Sequence, residues 1–386
     1  MKITMFGTLP PLKGNAYYCW HLSDALAKKI DVEFFSFSKL YPEFLYPGGT
    51  QDKDDAFVAR DTEKLKIHRT ISIYNPLTWL RAGSRASGEL VHAQFWSLPV
   101  VPVWLAAFNR LKRRKKKILL TVHNLVQHES TFYEDFLVKR LIAQADEFVV
   151  HAAKNVAEME SLFGVPQERV HHIPMGPHGV LSENGTTALT PEQARQALGI
   201  DADARVLLFF GNIREYKGVD DFIRTIALLK EKYDGKITGL IAGQPWKNAQ
   251  ELDQIIREHG VSDNVVTHLK YIPAGELRTY FTATDVVLLP YKKMDGQTGV
   301  GNVALDYHKP MVVTEVGGLP ELVLEKDCIV PPNRPDRLAE QTLKILTDAA
   351  LAERLAQDSK KLVQSNSWEA ISEKTIAVYR AMLASA

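Results

Sequence analysis

The chain has two cysteines in 386 residues, Cys19 and Cys328, too few for a disulfide framework and without a zinc-ligand spacing. The expectation that follows is a reducing, cytoplasmic compartment. Charge of one sign is also missing: 47 Lys and Arg stand against 46 Asp and Glu, a net +1. With no overall basic excess, nucleic acid is not expected as a partner. The longest apolar run, Leu98 to Phe108, has 11 residues with Pro99 and Pro102 inside it, against the ~20 that a membrane span needs. The opening Met-Lys and Ile3-Thr4-Met5-Phe6 lacks the long apolar core of a secretion signal and reads as a first buried strand. Several catalytic signatures are absent too. No G-x-G-x-x-G follows the first strand, which weakens an NAD reading, and no G-x-x-x-x-G-K-[ST] supports a P-loop ATPase. No G-x-S-x-G supports a hydrolase, and no H-E-x-x-H supports zinc. No metal and no cofactor is expected.

What is present is an ordinary globular composition, 45% apolar and 24% charged, arranged in alternation. Short Val/Ile/Leu/Phe-rich runs recur: Ile3–Phe6, Val32–Phe37, Lys66–Ser72, Leu90–Phe95, Ile118–Val122, Glu147–His151 and Val170–Ile173. A second series follows at Val206–Phe210, Ile237–Ala242, Val265–Tyr271, Val286–Pro290, Met311–Thr314 and Cys328–Val330. Runs of this kind predict strands buried on both faces. Helical patterns lie between them, clearest at Val219, Phe222, Ile223, Ile226 and Leu229. The reading is α/β, with two Rossmann-like domains facing across a cleft. The Gly-, Pro- and Ser-bearing stretch from Gly176, followed by a short helix begun by Thr190-Pro191, marks the linker between them.

Five segments carry candidate chemistry. Gly14 and Asn15 lie in the turn after the first strand, where a helix N-terminus favours an anion; turn punctuation alone explains them as well. Gly211-Asn212-Ile213-Arg214-Glu215-Tyr216-Lys217-Gly218 directly follows the strand Val206–Phe210. Arg214 offers a fixed fork of donors and Lys217 a mobile point charge, at the edge where a diphosphate would sit. The third segment runs from Pro290 to Asn302, with glycines at 296, 299 and 301 and the hydroxyl of Thr298. Such a loop can hold sugar hydroxyls and phosphate oxygens. The fourth places His123, Asn124, His128 and Glu129 at the end of Ile118–Val122. The fifth is Arg110 to Lys117, seven basic residues of eight after the apolar stretch carrying Trp104. It suits either a solvated loop or, through 112–117, an anionic membrane surface. Tyr17, Tyr18, Trp20, Trp79 and Trp96 are candidate groove aromatics, and core packing explains each one equally.

Taken together the constellation resembles glycosyltransferase family 4, which has the two-Rossmann GT-B fold. The segment 211–218 resembles the family's G-x-I-R-x-Y-K-G. Gln297-Thr298-Gly299-Val300, then Lys309-Pro310-Met311-Val312-Val313, then Val316 to Glu321, resembles the Q-S-G-V … G-K-P-V-V … V-G-G-L-P-E run of one branch. Thr121-Val122-His123-Asn124 with His128-Glu129 resembles that branch's T-x-H-N … H-E. The resemblance implies a retaining glycosyltransferase that moves a sugar from a UDP- or GDP-sugar to an acceptor. The basic run and the groove aromatics lean toward a saccharide or polyprenyl-linked acceptor at the inner face of the cell membrane, in polysaccharide or glycolipid biosynthesis. The resemblance also implies residues 1–176 as the acceptor domain, with helix 367–386 crossing back onto it, and 177–366 as the donor domain. His123, Arg214 and Lys217 are the implied catalytic set. The donor-binding set is Gly14, Asn15, Arg214, Lys217, Tyr271, Ile272, Asp295, Gln297, Thr298, Gly299 and Val300.

Two departures from the family stand out. Many members carry two glutamates separated by seven residues in the donor loop; here the first position is Asp295 and the second Val303. The Arg that usually follows the first Gly of the phosphate segment is Asn212, and Arg214 is expected to replace it. The missing glutamate motivates a rival reading as a non-catalytic sugar-nucleotide-binding relative. A nucleotide-sugar epimerase of the same fold is the other rival, with only His123 and Glu129 as its acid and base.

Overall fold

The computed structural model describes residues 1–12, 15–40, 58–125, 132–177, 189–246 and 249–385. The chain divides into two compact units, residues 1–176 with 366–386, and residues 177–365.

The first unit is built on strands β1 (Lys2–Gly7), β2 (Asp31–Lys39), β3 (Leu65–Ser72), β4 (Leu90–Phe95), β5 (Lys117–Val122), β6 (Glu147–Val150) and β7 (Val170–His172). They form one parallel sheet in the order β3-β2-β1-β4-β5-β6-β7. Every residue of β4 is buried, because helices cover both faces of a parallel sheet, and its polar members His92 and Gln94 are hydrogen-bonded inside. Alternation along β1 feeds two cores. Phe6 points to one, stacked on Trp104 at 5.7 Å. Ile3 and Met5 point to the other, with Tyr18, Leu22 and Leu26 of the helix Ala16–Ala27. That second core is completed by Ile371, Tyr379 and Met382 of the helix Trp368–Ala384. Its start is capped by Ser367, whose hydroxyl accepts from the Ala370 amide at 3.3 Å.

The second unit opens with the helix Pro191–Ala197. Thr190 accepts from Gln193 N–H there, and the Gln193 side chain returns to the Thr190 amide. Its strands are β8 (Arg205–Phe210), β9 (Ile237–Ala242), β10 (Val265–His268), β11 (Val286–Leu289), β12 (Met311–Thr314) and β13 (Ile329–Val330), parallel in the order β10-β9-β8-β11-β12-β13. The expected run Val265–Tyr271 is thus shorter as a strand: the Lys270 amide bonds the His268 carbonyl at 2.9 Å, turning the chain out of the sheet.

Both sheets reverse direction once, between β1 and β4 and between β8 and β11. In doubly wound sheets ligands sit at the C-terminal strand ends beside such a reversal. The loops after β8 and β11 in one unit and after β1 and β4 in the other stand beside those reversals, and the ends of β5 and β6 lie next along the first sheet. Among the described residues no helix is long and apolar enough to cross a membrane.

Candidate active site

The backbone after β8 does not leave β9. Gly211 N–H donates to Ala242 O at 2.9 Å, Ile213 N–H to Gln244 O at 2.9 Å, and Trp246 N–H to Ile213 O at 3.1 Å. The two chains approach so closely that a Cβ on Gly243, whose φ is +148, would stand 2.0 Å from the Gly211 carbonyl oxygen. This zipper fixes where Arg214 and Lys217 stand. A Cβ built on Gly211 would lie 3.2 Å from Lys217 Nζ and 3.1 Å from Val300 Cγ2, so the ammonium, the bare Gly211 backbone and the start of the helix Gly299–Asp306 converge.

Lys217 is 8% exposed. Burial pushes its pKa down; Tyr216 opposes that shift and the positive charge of Arg214 adds to it. Its ammonium lies 5.4 Å from the Tyr291 ring centroid. The nearby carboxylates are paired with other cations, Asp220 with Lys292 at 2.6 Å and Asp221 with Arg224 at 3.6 Å. Among the described residues no carboxylate lies within ion-pair distance of Lys217. The Arg214 guanidinium carbon sits 3.4 Å from the ring centroid of Trp246. Two neighbouring cations, one of them buried and with no carboxylate partner among the described residues, make a locally positive spot suited to a multivalent anion.

The loop after β11 closes the other side. Gly318 N–H donates to Gly296 O at 2.9 Å, and Gln297 Nε2 donates to Glu321 at 3.3 Å, so the loops after β11 and β12 brace each other. Thr298 was expected to offer its hydroxyl to a ligand. It is buried, and its oxygen accepts from Val300 N–H at 3.3 Å as the helix N-cap. Gly299 and Val300 occupy the first turn of that helix, the end at which its dipole is positive. Asp295 is half-buried. Val303, which stands at the second glutamate position, is packed in the hydrophobic core with Ala304 and Leu305. Ile272 belongs to the same core, whereas Tyr271 is 46% exposed.

In the first unit His123 follows β5 directly and joins a buried polar chain. Its Nε2 lies 2.9 Å from both Asn15 Nδ2 and Gln94 Oε1. His151, at the end of β6, donates Nδ1–H to the Ile173 carbonyl at 2.8 Å. That leaves a lone pair on His151 Nε2, 3.1 Å from His123 Nδ1, which donates to it. The Tyr18 ring stands edge-on to both imidazoles, at 4.9 and 5.0 Å. Deeper, His92 bonds the Tyr379 hydroxyl at 2.7 Å and Thr121 at 2.6 Å. Burial pushes His92 down to about 3 and holds His123 well below the usual imidazole range, with His151 and His92 adding to the effect on His123. Both rings are neutral at pH 7 and act as hydrogen-bond partners.

The structure brings Arg214, Lys217, Gly299 and Val300 together in one unit, and Asn15 with His123 in the other. Lys13, Gly14, His128 and Glu129 lie outside the described residues. The basic run is in good part internal. Lys112 pairs with Asp146 at 2.8 Å, Arg114 donates to the carbonyls of Gly83, Ser84 and Ala86, and Lys116 donates to Gly88 O. Arg114 thereby caps the C-terminal end of the helix Pro76–Arg85. The run also enters β5 at the end opposite His123, about 20 Å away along the strand. Among the aromatics, Trp104 is fully buried and Trp79 donates to the Ser72 carbonyl. Gln94, His151 and Trp246 are site residues that sequence reasoning missed; each stands at or just beyond the C-terminal end of a strand, the one signal that marked them.

Two doubly wound α/β units, one with an anion-seeking loop at its reversal point, define the GT-B class of transferases. Residues 13–177 match Glycosyltransferase Family 4, and residues 191–362 match Glycosyl transferases group 1. The chain belongs to glycosyltransferase family 4 and is a transferase enzyme of GT-B fold. It is 28% identical over 312 residues to a D-inositol 3-phosphate glycosyltransferase of Corynebacterium urealyticum, covering 77% of this chain and 72% of the relative. In fold it is similar to sucrose-phosphate synthase from Thermosynechococcus elongatus, with TM-score 0.72, 19% identity and 100% of both chains covered. It is also similar to HepE of Anabaena, solved with UDP and glucose, with TM-score 0.73, 15% identity and 99% and 100% covered.

Proposed function

We propose that this glycosyltransferase is retaining, that it takes a UDP- or GDP-sugar, and that residues 177–365 hold the donor. The observation that carries the donor reading is the Lys217 ammonium, buried beside Arg214 with no carboxylate partner among the described residues. A buried ammonium in that state is an unfavourable arrangement that a diphosphate would relieve. As the glycosidic bond breaks, negative charge grows on the leaving phosphate. Lys217, Arg214 and the positive end of the helix that starts at Gly299 are aimed at stabilising it. No enzyme nucleophile is invoked: the acceptor hydroxyl attacks from the face the phosphate leaves, and a phosphate oxygen takes its proton. No cofactor is needed in this scheme, since two cations carry the charge. The complex of HepE with UDP and glucose supports a uridine donor by analogy of fold alone.

The first unit supplies the acceptor side in this reading, with His123 locked in place by Asn15 and His151 at the end of β5. The acceptor is a saccharide or polyprenyl-linked saccharide in polysaccharide or glycolipid assembly. Attachment to an anionic membrane would fall to Arg110, Arg113, Lys115 and Lys117, the members of the basic run outside the contacts described above. The deciding experiment is a thermal-shift screen of UDP, GDP and their hexose conjugates, because a ligand that binds only the folded state raises the melting temperature. A rise of several degrees with one base is expected. No shift with any of them at millimolar concentration removes the donor reading. Flotation on anionic vesicles tests the membrane role separately, and failure of the wild-type chain to float ends it.

A further inference from the structure

The contact between Arg214 and Trp246 has a chemical consequence that goes one step past the donor reading. Among the described residues the Arg214 guanidinium makes no hydrogen bond and no ion pair; its partner is the indole face, 3.4 Å from ring centroid to guanidinium carbon. A guanidinium has its five N–H donors in the plane of the group. A ring stacked on one face immobilises that plane without occupying any donor. Trp246 is itself held, because its amide donates to Ile213 O and Ile213 bridges Pro245 in parallel register. The bridge extends the β8–β9 pairing past both strand ends, so Trp246 arrives beside Arg214 by backbone registry. The indole remains 45% exposed, which a purely core-filling tryptophan would not be.

We infer that Trp246 is a positioning residue for Arg214: its face fixes the plane of the guanidinium so that the N–H edge stays open to a diphosphate. The alternative is an incidental surface stacking with no part in binding. The inference rests on the donor reading of Arg214, and the two can fail separately.

The test is titration calorimetry of UDP and of GDP into the full chain, comparing wild type with Trp246→Ala, Trp246→Phe, Arg214→Ala and the double variant Trp246→Ala/Arg214→Ala. Losing the stacked ring is expected to weaken the nucleotide that binds by roughly 5- to 30-fold. Trp246→Phe, which keeps an aromatic face, should recover most of that loss. In the Arg214→Ala background the Trp246→Ala change should cost less than about twofold, since there is no longer a guanidinium to orient. Wild-type affinity in Trp246→Ala together with weakened binding in Arg214→Ala overturns the positioning role and leaves the donor reading intact. An equal loss from Trp246→Ala with and without Arg214 also overturns it, assigning the ring a direct contact with the nucleotide. Wild-type affinity in Arg214→Ala overturns both.

Discussion

Lys217→Met separates stability from function at one atom. The wild-type ammonium is 8% exposed and has no carboxylate partner among the described residues, and burial lowers its pKa. Met keeps the length of the side chain and removes the charge. Replacing buried ions with apolar groups of similar volume is typically neutral or stabilising by about 1–4 kcal/mol. Here the attraction of the ammonium to the Tyr291 ring, 5.4 Å away, offsets part of that, leaving a gain of about 1 kcal/mol. For a unit the size of residues 177–365 this is about 2–4 °C in melting temperature. With a nucleotide diphosphate at a hundredfold excess over its Kd, wild type gains about 2.7 kcal/mol by mass action, and the variant, lacking the cation, gains little. The order of melting temperatures therefore inverts on adding ligand. The pH dependence carries the same sign. A lysine whose folded pKa lies below its unfolded value binds fewer protons when folded, so stability rises with pH between the folded value and 10.5. That rise should be present in wild type and reduced in Lys217→Met. Thermal unfolding followed by tryptophan fluorescence, with and without UDP or GDP, reads all of this. A variant that melts well below wild type without ligand yet keeps the full ligand shift refutes the reasoning.

Acid should loosen the first unit through His92. Its folded pKa of about 3 lies below the unfolded 6.5, so its contribution is complete above about pH 6.5 and falls by about 1.4 kcal/mol per unit as pH drops toward 3. Urea unfolding of His92→Gln between pH 7 and 5 should show a shallower slope than wild type, and identical slopes would contradict the assignment. Val303→Glu restores the family's second glutamate in sequence but places a carboxylate in an apolar core; a loss of about 3 kcal/mol or more is expected by thermal melting. Retained stability with tighter UDP binding would show that the position still faces the donor. Gly243→Ala puts a methyl 2.0 Å from the Gly211 carbonyl at φ +148 and should cost at least about 2 kcal/mol while abolishing diphosphate binding. Wild-type binding in that variant would mean that the zipper between the loops after β8 and β9 does not hold the site.

The α/β class, the strand series and the segment at 211–218 were legible because each is written locally: apolar runs in β1 to β13, a Gly-rich turn at a strand end, Thr190-Pro191 at a helix start. What was not legible depends on pairing between distant segments. Thr298 reads as a free hydroxyl in sequence, and only the helix behind it makes it a cap. Ile272 looks like a neighbour of the donor until a core of buried residues, Val303 among them, claims it. Lys112, Arg114 and Lys116 read as solvated charge; carbonyls and a carboxylate from 28 to 34 residues away hold them. Trp246 entered no motif, because what matters about it is a registry set by the Ile213–Pro245 bridge. The polar chain at His123 is the same kind of case, with Gln94 and His151 drawn from β4 and β6 on either side of β5.

The covalent path through the two units has a consequence for biogenesis. Residues 177–365 are contiguous, so that unit can finish folding as soon as it clears the ribosome. Residues 1–176 must wait for 366–386. The bond between His92 and Tyr379 spans 287 positions, and the other unit lies wholly within that loop. Until the final helix arrives, Ile3, Leu22 and Leu26 keep an uncovered greasy face, a natural landing place for a holding chaperone. A nascent chain stalled just after Ser365 would thus pair one finished unit with one sticky one.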